Sequence, residues 1–326
     1  MRKLQALAVI ALLTSTLSGC ATSSASIKPE LAAYEGVKAT CPAFKTGTAS
    51  DQIKMNLYKG VWPEVTFPSP LNSKRVETKV QVEGNGPAFT GNQLIKFDYQ
   101  IINGATGDLL QASSFDGTDD GMQLVDSTSK LLCRPLSGVK QGSIVNILAP
   151  WSVLSKTGLV NLGFKENDSL VLTIKLNRVY LPQANGDAQL PQNGFPQVVT
   201  AASGEPGLVL QDWSTPAFTQ FAKSTLIKGR GAEVKKNQTV TLQYSGFLWD
   251  SSKSKFDSSW SNGQPAQMQL VDGQLIPGFI KAVVGEHVGS RVIAVIPPQD
   301  GYGNLAQQKI PAGSTLIFVI DILGTD

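Results

Sequence analysis

Five runs between Thr239 and Leu323 carry the reading of this chain: TVTLQYSGFLW (239–249), KFDSS (255–259), GQPAQMQLVDGQLIPGF (263–279), RVIAVIPPQDGYGN (291–304) and STLIFVIDIL (314–323). Val240, Leu242 and Tyr244 alternate with Thr239, Thr241 and Gln243. That period of two predicts a half-buried strand. Leu316, Phe318, Ile320 and Ile322 predict a second. Between them, 277–284 predicts a short helix, because proline suits the first helical position and Phe279 and Val283 share one face. One helix on a bent antiparallel sheet is an α+β arrangement. Tyr244, Phe256, Leu275, Ile276, Phe279, Tyr302 and Phe318 are apolar or aromatic and come from separate runs, with one carboxylate, Asp257, beside Phe256. A pocket of rings and branched aliphatics with one acid and a tyrosine hydroxyl suits an uncharged, bulky ring such as that of proline.

In order, Tyr244-Ser245-Gly246, Phe256-Asp257-Ser258-Ser259, Leu275-Ile276-Pro277-Gly278-Phe279, Tyr302-Gly303 and Ile310-Pro311 resemble the landmarks of the FKBP-type peptidyl-prolyl cis-trans isomerases. The resemblance covers about the last third of the chain. It implies that Phe279 forms the pocket floor, where the family usually has tryptophan, and that Tyr244, Phe256 and Phe318 form aromatic walls. It implies Leu275 and Ile276 at the rim, with the Ile276 N–H and the Tyr302 hydroxyl each holding a substrate carbonyl. Asp257 would orient polar groups around the rotating amide and interact with Tyr244. The chain departs from the family pattern in three places. Asn262 stands where many members carry an arginine, Ala266 and Met268 replace bulkier aromatics on one wall, and the loop 304–309 is short. The implied partners are proline-containing polypeptides and, as a candidate inhibitor, an immunosuppressant macrolide. Isomerisation breaks no covalent bond, so no cofactor or metal is expected.

The chain also repeats itself. Residues 92–99 (NQLIKFDY) align with 237–244 (NQTVTLQY), and Met122-Gln123-Leu124-Val125-Asp126 recurs as Met268-Gln269-Leu270-Val271-Asp272. Each copy ends in an apolar strand, 170–176 or 316–323. The expectation is two FKBP-like domains, 51–182 and 190–326, each a bent antiparallel sheet wrapped on a short helix. The polar, turn-rich segment 183–189 would link them. Tyr99 is kept in the first copy. Gln111 aligns with Asp257, Pro135 with Phe279 and Ser155-Lys156 with Tyr302-Gly303, so the first copy reads as one that has lost the reaction.

Arg2, Lys3 and the apolar run 4–13 read as a secretory signal over 1–19. Leu17-Ser18-Gly19-Cys20 resembles a bacterial lipobox, which implies lipidation of Cys20 and a tether over 20–50. The expected location is the outer face of a bacterial cell membrane, held through the lipid. The 326 residues carry a net charge of +3, which falls to +1 without Arg2 and Lys3, so charge offers no basis for binding nucleic acid. Cys41 and Cys133 are the two remaining cysteines, and in an exported setting they are expected to pair. His287, the only histidine, sits in a polar turn without a metal-ligand pattern. Two functions follow from this reading: an isomerase that assists folding of exported proteins, or a non-catalytic envelope chaperone or assembly module that grips proline-bearing segments.

Overall fold

The computed structural model describes residues 29–42, 46–58, 62–116, 121–190, 192–209, 216–249 and 255–326. The signal segment and Cys20 lie outside them. Most of the strand residues belong to two antiparallel sheets. The first is built from β1 (Glu77–Val82), β2 (Gln93–Asn103), β3 (Leu109–Ala112), β4 (Gly121–Val125), β5 (Ile144–Ala149) and β6 (Leu170–Val179). Its order is β1-β5-β6-β2-β3, with β4 also on β2. The second contains β7 (Gly186–Ala188), β8 (Ala222–Gly229), β9 (Thr239–Leu248), β10 (Lys255–Ser258), β11 (Ala266–Gln269), β12 (Arg291–Ile296) and β13 (Leu316–Thr325). Its order is β10-β9-β13-β12-β8-β7, with β11 also on β9.

Apart from the extra edge strand β7, the two sheets have the same connectivity. They also share local irregularities. The register shifts at Lys96/Phe97 in β2 and at Thr241/Leu242 in β9, each against the last strand of its sheet. Shifts at Val80/Val82 and Thr225/Ile227 correspond, as do those at Ile101/Ile102 and Gly246/Phe247. Asn92 and Asn237, which enter β2 and β9, both adopt positive φ, at 53° and 68°. Asparagine tolerates this left-handed conformation better than most residues. Bulges re-aim strands at defined places, so their recurrence marks one backbone plan used twice.

That plan corrects part of the alignment. Val125 pairs with Gln93, whereas Leu270 exchanges backbone hydrogen bonds with Asn237 and Gln238. The two MQLVD runs are therefore offset by one residue in space. A one-residue slip turns every side chain of a strand to the other face, so Met268 corresponds to Gln123 and not to Met122. The helix Pro277–Val283 caps the second sheet, with Phe279, Ala282 and Val283 buried and Gly285 in the left-handed region at φ 84°. Its counterpart Cys133–Leu136 has only four residues.

The tether and linker boundaries also change. Pro29–Ala32 is helical, Ala33 is fully buried in the core of the second sheet, and Cys41 is buried against the first. Cys41 and Cys133 form a disulfide with their Cα atoms 5.5 Å apart. The linker segment supplies β7, whose Gly186, Asp187 and Ala188 pair with Gly229, Lys228 and Ile227. A turn-rich composition did not reveal this, because an edge strand is held by backbone groups rather than by its own apolar side chains. The sheets also meet. Leu94, Tyr180 and Leu181 pack with Leu242 and Ile322, and the Tyr180 hydroxyl donates to the Asp326 carboxylate at 2.9 Å.

Candidate functional site

Strands β9, β10 and β13 and the helix Pro277–Val283 enclose a cavity of about 390 Å³. Tyr244, Phe256, Asp257, Leu275, Ile276, Phe279, Tyr302 and Phe318 all line it, together with Met268, Gly273, Gln274 and Pro277. The structure thus gathers all eight residues singled out for the pocket. Gly273, Gln274 and Pro277 were missed as lining residues. Their only sequence signal was their position beside Leu275 and Ile276.

The floor and walls form an edge-to-face aromatic cluster. The Phe279 and Phe318 rings lie 5.2 Å apart at 90°, and those of Phe256 and Phe318 lie 5.5 Å apart at 82°. Tyr244 meets Phe279 at 6.1 Å and 85°. These are the favoured geometries for aromatic quadrupoles. Tyr244, Phe279 and Phe318 are buried; Phe256 is half-buried. Gly246 permits the packing, because a Cβ there would stand 2.5 Å from the Phe256 ring and 3.0 Å from that of Phe318. Gly278 plays the same part under the helix, where a Cβ would meet Ile296 at 2.3 Å.

Polar groups are few and placed at the rim. The Tyr244 hydroxyl donates to Asp257 Oδ2 at 2.5 Å, and Asp257 Oδ1 accepts from the Ser258 N–H at 2.8 Å. Burial, and then the bond to Asp257, hold the Tyr244 hydroxyl well above the usual tyrosine range. Burial and the nearby Asp257 charge also raise that of Tyr302. Both hydroxyls are therefore neutral near pH 7. The Tyr302 hydroxyl has no hydrogen-bond partner among the described residues, and the side chain lines the cavity. The site can hold an apolar ring, exclude water from it and offer a neutral donor to a carbonyl.

Comparison with known proteins agrees. Residues 231–323 match the family model described as FKBP-type peptidyl-prolyl cis-trans isomerase. A protein named FK506-binding protein from Streptomyces anulatus is 40% identical over 98 residues, covering 29% of this chain and 78% of that protein. A probable FK506-binding protein from Corynebacterium glutamicum is 35% identical over 108 residues, covering 33% and 89%. FK506-binding protein 2 of Gibberella zeae is 37% identical, but only 48% of its length is spanned. The crystal structure of FkpA from Escherichia coli matches at 29% identity with a TM-score of 0.30, covering 40% of this chain and 51% of that one. The chain belongs to the FKBP-type peptidyl-prolyl cis-trans isomerase family. The matched isomerase segment contains every strand and helix that lines the cavity.

The first sheet has a cavity at the corresponding place, of about 600 Å³. Tyr99 pairs with Ile174 as Tyr244 pairs with Ile320, and Ile101 faces Gln111 as Gly246 faces Asp257. Gln111 therefore does stand in the place of the acid. The floor expectation is corrected: Pro135 lies outside this cavity, and Leu132 lines it. Leu132 precedes the turn glycine Gly138 by the same spacing that separates Phe279 from Gly285. Lys156 lines the cavity; Ser155 does not.

Proposed function

We propose that the second-sheet cavity catalyses cis-trans isomerisation of X-Pro bonds in exported polypeptides, with the prolyl ring seated on Phe279. The observation that carries this reading is the convergence of eight side chains from separate runs on one ring-sized apolar cavity. An ordinary peptide bond resists rotation by about 18–20 kcal/mol because of amide resonance. X-Pro bonds exchange unaided in tens to hundreds of seconds. The twisted amide has lost resonance and is less polar than the planar one. A dry aromatic cluster therefore binds the twisted state better than the ground state, which is what catalysis requires.

Phe279, Phe318 and Phe256 grip the ring. The Ile276 N–H and the Tyr302 hydroxyl hold flanking carbonyls, so that the amide turns against a fixed frame. Asp257 anchors the Tyr244 hydroxyl and orients the polar rim around the rotating carbonyl. The same apolar cavity is the place where an FK506-like macrolide would compete with proline. The reading extends to two FKBP-like domains, the first without the reaction, and to attachment at the outer face of a bacterial membrane through lipid on Cys20. Stable attachment needs two anchoring signals, such as dual acylation.

The test is a proline-limited refolding assay with the full chain, with and without FK506. Acceleration that FK506 abolishes supports the assignment. Refolding at the uncatalysed rate by correctly folded protein overturns it and leaves the non-catalytic binding module. Mass spectrometry of membrane-extracted protein tests the anchor separately, by acyl groups on Cys20.

A further inference from the structure

The cavity of the first sheet is larger than the isomerase cavity, about 600 against 390 Å³, and it lacks rings at the places of Phe279 and Phe318, keeping those of Phe97 and Tyr99. Leu132 stands for Phe279 and Leu172 for Phe318, and Val153 and Leu159 add to the same aliphatic lining. The cavity is a half-open cleft whose rim carries the exposed side chains of Thr128, Lys130 and Lys156. That rim is changed from the one around the isomerase site.

The change at the rim has one direction. In the isomerase site the Tyr244 hydroxyl spends its proton on Asp257. In the first sheet Gln111 Nε2 donates to the Tyr99 oxygen at 2.8 Å, so the Tyr99 proton remains to be donated. No carboxylate lines this cavity among the described residues, whereas Lys130 and Lys156 both do, and neither has an ion-pair partner among those residues. The nearest acid in sequence, Asp126, lies outside the lining, and its carboxylate already accepts from Thr128 and Ser129. Among the described residues, the site has exchanged an acid for two cations and an accepting rim for a donating one.

We propose that the first-sheet cavity is a second polypeptide-binding site, which takes an apolar side chain flanked by carboxylates and holds it without isomerising it. Leu132, Leu172 and Ile101 receive the apolar side chain. Tyr99 and the two lysines meet the carboxylates. The site lacks the aromatic floor and the unpartnered tyrosine hydroxyl, so it binds a planar amide no less well than a twisted one. The proposal concerns a cavity separate from the isomerase site and does not depend on turnover there.

The test uses the full chain and two fluorescein-labelled, proline-free hexapeptides with amidated ends. Both have a Leu-Phe centre, one flanked by Asp and Glu and the other by Lys. Fluorescence anisotropy at low salt should show the acidic peptide binding about tenfold more tightly, since exposed charge pairs each contribute modestly and are screened by salt. Joint Lys130→Glu and Lys156→Glu substitution, at exposed positions that fold does not depend on, should reverse the preference. Tyr99→Phe should weaken the acidic peptide alone, and Phe279→Ala should leave its binding unchanged. A free C-terminal carboxylate on the acidic peptide separates recognition of chain ends from recognition of side chains. Equal affinity for the two peptides, indifference to the charge reversal, or no binding at about 1 mM would overturn the proposal.

Discussion

The two sheets follow one backbone plan, yet they surround different cavities. At corresponding places the second sheet has Gly246, Asp257, Phe279 and Phe318, and the first has Ile101, Gln111, Leu132 and Leu172. Backbone hydrogen bonds, bulges and turn asparagines set the plan, and these tolerate exchange of the side chains that point into the cavity. Rings against a glycine make a tight dry slot. Aliphatics against an isoleucine leave a wider bowl. The architecture is therefore no guide to which copy reacts; the side chains at these four places are.

The largest difference to test is mechanical. The first core is stapled by Cys41–Cys133, 92 positions apart in sequence, and the second contains no cysteine. Replacing both by alanine should destabilise the first sheet by about 4–5 kcal/mol on the chain-entropy account. Calorimetry should then show an early transition, and isomerase activity should persist through it. Simultaneous loss of activity would mean that the sheets unfold as one unit, through the shared packing of Leu94, Tyr180 and Leu181.

Next comes the floor. Phe279→Ala should lower kcat/KM by about 30- to 100-fold, equivalent to some 2–3 kcal/mol of lost transition-state stabilisation. Full turnover by a folded variant would remove the pocket assignment. Making the sites more alike sharpens the comparison. Asp257→Asn places an amide opposite the tyrosine hydroxyl, as Gln111 does in the first sheet, and should cost about five- to thirtyfold in the refolding assay. The reverse change, Gln111→Asp, should create no measurable activity when Phe279 is also removed, because the first sheet lacks the ring floor.

Tyr302→Phe deletes one hydroxyl and should cost about two- to tenfold, the range of one neutral hydrogen bond. The smallest effect concerns pH. Burial and Asp257 raise the ionisation of Tyr244 and Tyr302 in the folded state above the ordinary tyrosine value of about 10. The stabilisation this brings is whole below that value and is lost as pH rises through the folded-state value. Turnover should therefore stay flat from neutrality to about pH 10. A tyrosinate-dependent fall well below that pH would show that neither hydroxyl is shielded.

Much of the isomerase site was legible in the chain. Period-two runs, Pro277 before an apolar turn and the order of the motifs pointed to strands, helix and eight of the lining residues, because each is a local pattern with a local cause. The repeat was legible too, but its register was not. The MQLVD identity misplaced β4 by one residue, since a strand's face is decided by its partner and not by its own composition. The alignment of Pro135 with Phe279 failed because a four-residue helix carries too little periodicity to position a side chain.

Sequence alone determined the class of pocket, the loss of the acid in the first copy and the scarcity of cysteine. Only the tertiary structure decided that Ala33, Tyr34, Val37 and Cys41 pack against the sheets, that 186–188 form an edge strand and that Cys41 reaches Cys133. It also decided that the first copy still encloses an open cavity. Aliphatic side chains read identically in sequence whether they fill a core or line a void. The space between them depends on where distant strands and loops place their neighbours.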